Sequence, residues 1–484
     1  MNNPIGRGHP SLNHDILINV FANCTQSANA VSARVCRRWS EPAIDHLWLS
    51  LPSLFPLLRV LLPLVIVDGA RDFDYDAPQP NWERFWARSA RVRTLKHDDN
   101  GRPGSIDSAR DLKGRIAPGV IPYLLLHQSW ADSGRFLLPN LKNLEWTTYW
   151  AQSLLQLPYL TSPNLRELAI NLSAASLPSA PVMRCLKLLA SLSGLELRRL
   201  RITTAYKDKD QDLELAPAVA SFVESQRALS TLELGWLYSE GEIIQTLYHH
   251  QRLVFLELLL AFDSYDLVQK SLQSLAGHCP LIETLKIFCP TTFPQPMTCD
   301  VIRPLFGCKQ LRELQVCYGG DFEVNSESVR SMGEAWRDLE ILNLCAGAKG
   351  SRWDGAPFTL LEDFAAEFGL KLRRLALNFT CPEELPTADV VTTSFSQLEI
   401  LGVGKSKIDS VDRFGALAEF LVSVCSEKTE IAYIHKDYWR ADAFQTKGWE
   451  NAPDTKSWVL VKDIMQRGRR LRQTGLERVP IGSQ

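Results

Sequence analysis

Ten times between Leu141 and Val403 the chain returns to one pattern, L-x-x-L-x-L with conservative exchanges. The triplets run from Leu141-Leu144-Trp146 through Leu165-Leu168-Ile170, Leu197-Leu200-Ile202, Leu229-Leu232-Leu234 and Leu253-Leu256-Leu258. They continue as Ile282-Leu285-Ile287, Leu311-Leu314-Val316, Leu339-Leu342-Leu344, Leu372-Leu375-Leu377 and Leu398-Leu401-Val403. The last two apolar residues of each are two apart, so they face the same side of a short strand. Helical stretches lie between. Val268, Leu272 and Leu275 share one face of such a stretch, and Leu361, Phe364 and Phe368 share another. Ser239 and Glu242 read as a capping-box pair. One strand and one helix cannot bury their own apolar face, but stacked copies can.

The triplets begin 24 to 33 residues apart, which is leucine-rich-repeat spacing. The expected fold is therefore α/β, a solenoid with a curved parallel sheet inside and helices outside. Weaker units flank it at Val92-Leu95 and Ile431-Ile434, so the array spans 91–435. Residues 436–484 read as a cap and basic tail. Trp458, Val461 and Met465 form one helical face there, and Arg467, Arg469, Arg470 and Arg472 form a basic cluster.

Composition narrows the function. Of 484 residues 45% are hydrophobic and 22% charged, an ordinary globular balance. The net charge of −2 offers no field for nucleic acid. Eleven cysteines contain no CxxC pair, and Cys279, Cys289, Cys299 and Cys308 are nine or ten apart, which is not zinc spacing. Reduced thiols in the cytoplasm or nucleus are the expectation. MNNPIGRGHP has no apolar h-region. Leu47–Val67 has the length of a membrane span, but it contains Pro52, Pro56, Pro63 and Arg59, so a buried, kinked connector is expected instead. No GxSxG, HExxH, P-loop or GxGxxG occurs in a strand–helix setting, and the adjacent His249 and His250 cannot chelate from one helix face. No catalytic role, metal or cofactor is expected.

Residues 1–10 read as a tail. In 11–50, Leu12, Ile16, Leu17, Val20 and Phe21 lie on one side of a helix with Asn13 as N-cap. A second helix is expected over Ala28–Trp39, with Val31, Val35, Cys36 and Trp39 on one stripe, and Pro42 opens a third element. These residues, with Val35-Cys36-Arg37-Arg38-Trp39, resemble an F-box, the motif that binds the small Skp-type adaptor of Skp–cullin–F-box ubiquitin ligases. The chain departs from that pattern at Asn13, where the family has proline, and at Ala28, Ala30, Val31 and Ala33, where larger aliphatics are common. The resemblance implies that Leu12, Ile16, Leu17, Val20, Phe21, Val35, Cys36 and Trp39 contact the adaptor and, through it, a cullin. Truncating Leu17 or Trp39 would then cost about 2 kcal/mol of binding. Cys36 reads as a packing and contact residue. Arg37 and Arg38 would favour a thiolate, but no CxxC or QAC-type signature surrounds it.

Residues 51–90 form a connector, with an acidic surface loop at 68–80. The segment NWERFWARSARVRTL is similar to that of fungal F-box proteins, where a helix leads into the first strand. Within the array, Glu145, Ala169, Arg201, Glu233, Glu257, Lys286, Gln315, Asn343, Ala376 and Gly402 point to the concave side. Aromatics just past the strands, with Glu257, are the candidate contacts for an unknown protein target: Trp146, Trp150, Trp236, Tyr238 and Tyr318, joined by Tyr149. The expected function is a non-catalytic substrate receptor of a ubiquitin ligase. The alternative is a repeat scaffold without ligase activity.

Overall fold

A computed structural model describes residues 14–473 except 78, 100–113, 127–135, 174–177, 205–208, 240, 263, 290–295, 319–321, 345–354, 382–383, 386–389, 405, 407, 409–412 and 434–455. The chain divides into two compact units, Met1–Asp208 and Lys209–Gln484. The first begins with helices α1 (His14–Ala22), α2 (Gln26–Ser32) and α3 (Arg37–Leu49). Leu12 and Asn13 lie outside the described residues. The second helix ends at Ser32, short of the expected Trp39, and Cys36 is the N-cap of α3. Pro42 lies buried inside α3 rather than opening a new element. It sits just past the first helical turn and withholds one N–H.

Helix α3 runs into strand β1 (Ser50–Leu51), which pairs with β4 (Thr94–Asp98). Between them lie α4 (Phe55–Leu61), β2 (Leu64–Val67), β3 (Ala70–Phe73) and α5 (Trp82–Ser89). The connector is buried only in part: Phe55, Leu57, Leu58 and Leu61 are inside, whereas Val65, Ile66 and Val67 are exposed. The acidic segment is not a plain loop. β2 and β3 are an antiparallel hairpin turning at Asp68 (φ 50°) and Gly69 (φ 73°). Two successive positive φ values make the tight turn that an Asp-Gly pair favours.

The ladder continues in parallel through β5 (Asn143–Thr148), β6 (Glu167–Leu172) and β7 (Arg199–Thr204). Leu95, Leu144, Leu168 and Leu200 stand opposite one another and are buried. The flanking unit at Val92-Leu95 is thus a true rung, with His97 in the third place.

The second unit stacks parallel strands at Thr231–Ser239, Phe255–Leu260, Thr284–Cys289, Glu313–Tyr318, Ile341–Asn343, Arg374–Ala376, Ile400–Gly402 and Glu430–Ala432. Leu232, Leu256, Leu285, Leu314, Leu342, Leu375, Leu401 and Ile431 form its buried column. Ile431 supplies the flanking rung, and Ile434 lies outside the described residues. This is a leucine-rich-repeat fold. One carbonyl per repeat fixes the register by accepting two N–H groups from the next rung. Glu283 O takes those of Arg312 and Glu313, and Arg312 O takes those of Glu340 and Ile341.

A second buried column precedes each strand. His250 Nε2 meets Val223 O and Gln226 O at 3.1 Å, Cys279 Sγ donates to Leu247 O, and Trp336 Nε1 donates to Leu305 O at 3.1 Å. These bonds cross repeats, so stacking and polar satisfaction reinforce one another. The expected capping box does not form. Ser239 ends a strand, and the following helix is N-capped by Gly241 at φ 105°. The helix Lys456–Gln473 buries Trp458, Val461 and Met465. Trp458 Nε1 donates to Ser406 O, and Arg469 donates to Thr429 O and Ser426 O. Arg469 therefore belongs to the cap and not to a solvated tail. Arg472 carries no described side chain.

Candidate protein-interaction surfaces

The three N-terminal helices close on a small core of their own. Leu17, Phe21 and Ala43 are buried, with Cys24, Ala33 and Trp39 packed against them. Phe21 meets Trp39 edge-on at 5.9 Å. Asn29 is buried and donates to Phe21 O at 3.0 Å, tying the end of α1 to α2. Arg91 binds Glu41 at 2.6 Å and Asp45 at 2.8 Å, so α3 is held to the turn after α5. The guanidinium holds Glu41 below the usual carboxylate range.

This geometry sorts the nominated adaptor residues. Leu17 and Phe21 face inward, 2% and 3% exposed, and cannot serve as a docking face. Their truncation would unfold the helices rather than weaken a contact. Trp39 is half-buried. Ile16, Val20, Val35 and Cys36 are exposed, and Val31 joins them. Ile16 and Val20 are one turn apart on α1 and share a face.

The inner face of the first unit carries Lys96, Glu145, Ala169 and Arg201 in register. Glu145 is shared by Lys96 at 3.5 Å and Arg201 at 3.1 Å, and a hollow of about 280 Å³ opens over the row. Below it, Thr203 donates to Asn171, which donates to Thr147. In the second unit Glu233, Glu257, Lys286 and Gln315 are half-buried, and Lys286 pairs with Glu313 at 3.0 Å. Asn343, Ala376 and Gly402 are buried, so the expected concave row is not accessible over its last three rungs. The Asn343 amide donates to Gln315 Oε1 and Cys317 Sγ, and Ala376 and Gly402 have no polar side chain to reach outward.

The candidate aromatics divide as well. Trp146 is fully buried, its indole donating to Ser153 Oγ at 3.2 Å and its ring 4.2 Å from that of His97. It is core, because its strand position is the third of a triplet. Trp150 and Tyr149 are half-buried, and Arg115 lies 4.4 Å over the Trp150 ring. Tyr238 is half-buried. Trp236 and Tyr318 sit in strands, but their side chains lie outside the described residues.

Sequence reasoning missed His97 and Asp99. Burial pushes the His97 pKa down to about 3, and neither ring nitrogen has a hydrogen-bond partner among the described residues. Asp99 is buried, and burial raises its pKa. It accepts from Thr148 Oγ1 at 2.6 Å and from Tyr149 N at 2.8 Å, fixing the turn after β5. His97 holds the third place of the Val92-Leu95 rung, where the pattern calls for an aliphatic residue, and no periodicity marks Asp99. Burial also pushes the thiols up: Cys185, Cys279 and Cys425 to about 12 and Cys308 to about 11. Such thiols stay protonated and are poor nucleophiles. His250 is buried while His249 is exposed, so the pair does not act together. Among the described residues no His, Cys, Asp and Glu group is placed to hold a metal ion, and no helix is long and apolar enough to cross a membrane.

No protein-family model matches the chain, and no curated protein matches it. Solved leucine-rich-repeat structures do. The yeast Rad7–Elc1 complex is 14% identical over 66% of this chain and 74% of that one, with a TM-score of 0.37. An internalin of Listeria monocytogenes is 13% identical over 73% and 79%, with a TM-score of 0.29. The TLR13–ssRNA13 complex is 11% identical over 74% and 59%, with a TM-score of 0.27. Likeness at that level carries nothing about what this chain binds.

Proposed function

We propose that the chain is a substrate-recognition subunit of a Skp–cullin–F-box ubiquitin ligase and does no chemistry itself. Helices α1–α3 would dock the Skp-type adaptor, and the inner face of the repeats would hold a target protein. Ubiquitin transfer would follow from proximity, since tethering raises the effective concentration of a target lysine. One observation carries the reading. Among the described residues, Ile16, Val20, Val31 and Val35 stand exposed on helices whose hydrophobic cluster is small, built on Leu17, Phe21 and Ala43. Exposed aliphatics on so small a core favour a covering partner.

The test is recovery of a Skp-type adaptor with the full chain. An Ile16→Asp, Val35→Asp double variant should lose the adaptor while keeping its fold, because both side chains are already in water. Equal recovery by the variant refutes the docking face. A second reading, a repeat scaffold without ligase activity, draws support from the direct passage of α3 into β1 and from the Arg91 clamp. There the helices only close the ladder, and the wild-type chain recovers no adaptor.

A further inference from the structure

The hairpin β2–β3 borders a surface that neither reading uses. Its two-residue turn makes Val67 and Ala70 a hydrogen-bonded pair, and bonded pairs alternate along an antiparallel ladder. Val65 and Asp72 are therefore bonded as well, and Leu64, Ile66 and Arg71 turn their backbone groups away from the partner strand. On the β3 side those groups are taken: Arg71 N donates to Arg115 O at 2.8 Å, and Ala117 N donates to Arg71 O at 2.9 Å. On the β2 side no described residue takes those of Leu64 or Ile66. Proteins usually shield such an edge with charge, proline or a bulge. Here Val65, Ile66 and Val67 are all exposed, Ile66 at 57%.

A cluster of rings lies beside β3. Tyr75 lies 5.3 Å from Tyr123 of helix α6 (Val120–Leu126), Tyr123 lies 6.3 Å from Trp82, and Trp82 lies 6.1 Å from Trp86. Tyr75 is exposed and the other three are half-buried. The Tyr75 hydroxyl donates to Asp72, which joins the rings to the Val65 face of the hairpin. Charge there is one-sided. Between residues 65 and 86 stand Asp68, Asp72, Asp74, Asp76 and Glu83, against Arg71 and Arg84, with the exposed Arg59 of α4 near Arg71. Arg71 is drawn over the Phe55 ring at 5.0 Å and Arg115 over Trp150, which turns these cations onto the molecule's own rings.

We propose that β2 and this ring cluster dock an extended, arginine-bearing segment of a partner protein. Its backbone adds a strand to the Leu64–Val67 edge, and its guanidinium groups lie on the aromatic faces among the carboxylates. Strand addition supplies affinity through the main chain and specificity through alternate side chains. Arginine fits better than lysine, because a planar, weakly hydrated guanidinium stacks on a ring and an ammonium does not. A second copy of the chain fits worse: it brings the same negative charge, and a four-residue edge is far short of the roughly 1,200 Å² a stable dimer buries.

The experiment uses the full chain and fluorescein-labelled octapeptides of alternating arginine and valine, with lysine or glutamate replacing arginine as controls, read by anisotropy. The arginine peptide should bind, the lysine peptide several-fold more weakly, and the glutamate peptide not measurably. Ile66→Pro removes only an outward N–H and should weaken binding about tenfold. Tyr75→Ala, at an exposed side chain, and the Asp74→Asn, Asp76→Asn pair should each weaken it about fivefold. The proposal is overturned if the glutamate peptide binds as tightly, or if Ile66→Pro and Tyr75→Ala both keep wild-type affinity. It also falls if sedimentation shows a dimer that Ile66→Pro abolishes, since the edge then serves a second copy. Adaptor recovery plays no part in these outcomes.

Discussion

The N-terminal helices and the repeat ladder of the second unit solve the same burial problem in opposite ways. A rung such as Leu285-Ile287 is covered by identical positions on both sides, so its core is continuous and shared. Helices α1–α3 have no copy of themselves to lean on. Among the described residues they close on a small cluster around Leu17, Phe21 and Ala43 and leave Ile16, Val20, Val31 and Val35 in water. Repetition lets short elements bury themselves completely, and a single short unit cannot.

Perturbations of unequal size sharpen that contrast. Trp336→Ala removes a fully buried ring and its bond to Leu305 O, and should cost about 3–5 kcal/mol in urea unfolding, spread over neighbouring repeats. Leu17→Ala should cost about 2–3 kcal/mol, but hydrogen exchange should rise only across α1–α3. Global loss of protection there would mean that the helices and the ladder share one core after all.

His97, on β4 of the first unit, adds a test by pH. Its folded pKa lies near 3 and its unfolded value near 6.5, so the stability it confers is complete above pH 6.5 and drains as pH falls toward 3. The loss should be on the order of 2 kcal/mol at pH 5, and His97→Phe should flatten the stability curve across that window. The smallest effect belongs to the half-exposed Arg91 clamp. Arg91→Ala should cost less than about 1 kcal/mol. The part due to Glu41, whose pKa is lowered, is present above the ordinary carboxylate range and disappears as pH falls through its folded value.

The ladder was legible because leucine at a fixed offset is a local signal repeated in sequence. Even the weak Val92-Leu95 and Ile431 rungs followed from it. The hairpin was written in Val67-Asp68-Gly69-Ala70, where the Asp-Gly pair outranks the acidic composition. The interaction surfaces were harder. Leu17 and Ile16 are neighbours of like character, and only helix packing turns one inward and the other out. Trp146 looks like a hot spot in sequence, yet it occupies a triplet position whose neighbours seal it against His97.

By itself the sequence determined that apolar residues recur at strand spacing between helices, because side-chain direction in a strand follows from position alone. Tertiary structure decided which of those residues meet solvent. It also decided where His250, Cys279 and Trp336 find carbonyls one repeat away, and how Tyr75, Trp82, Trp86 and Tyr123 come to share a surface. Those facts depend on distances between segments far apart in the chain, and no local pattern encodes them.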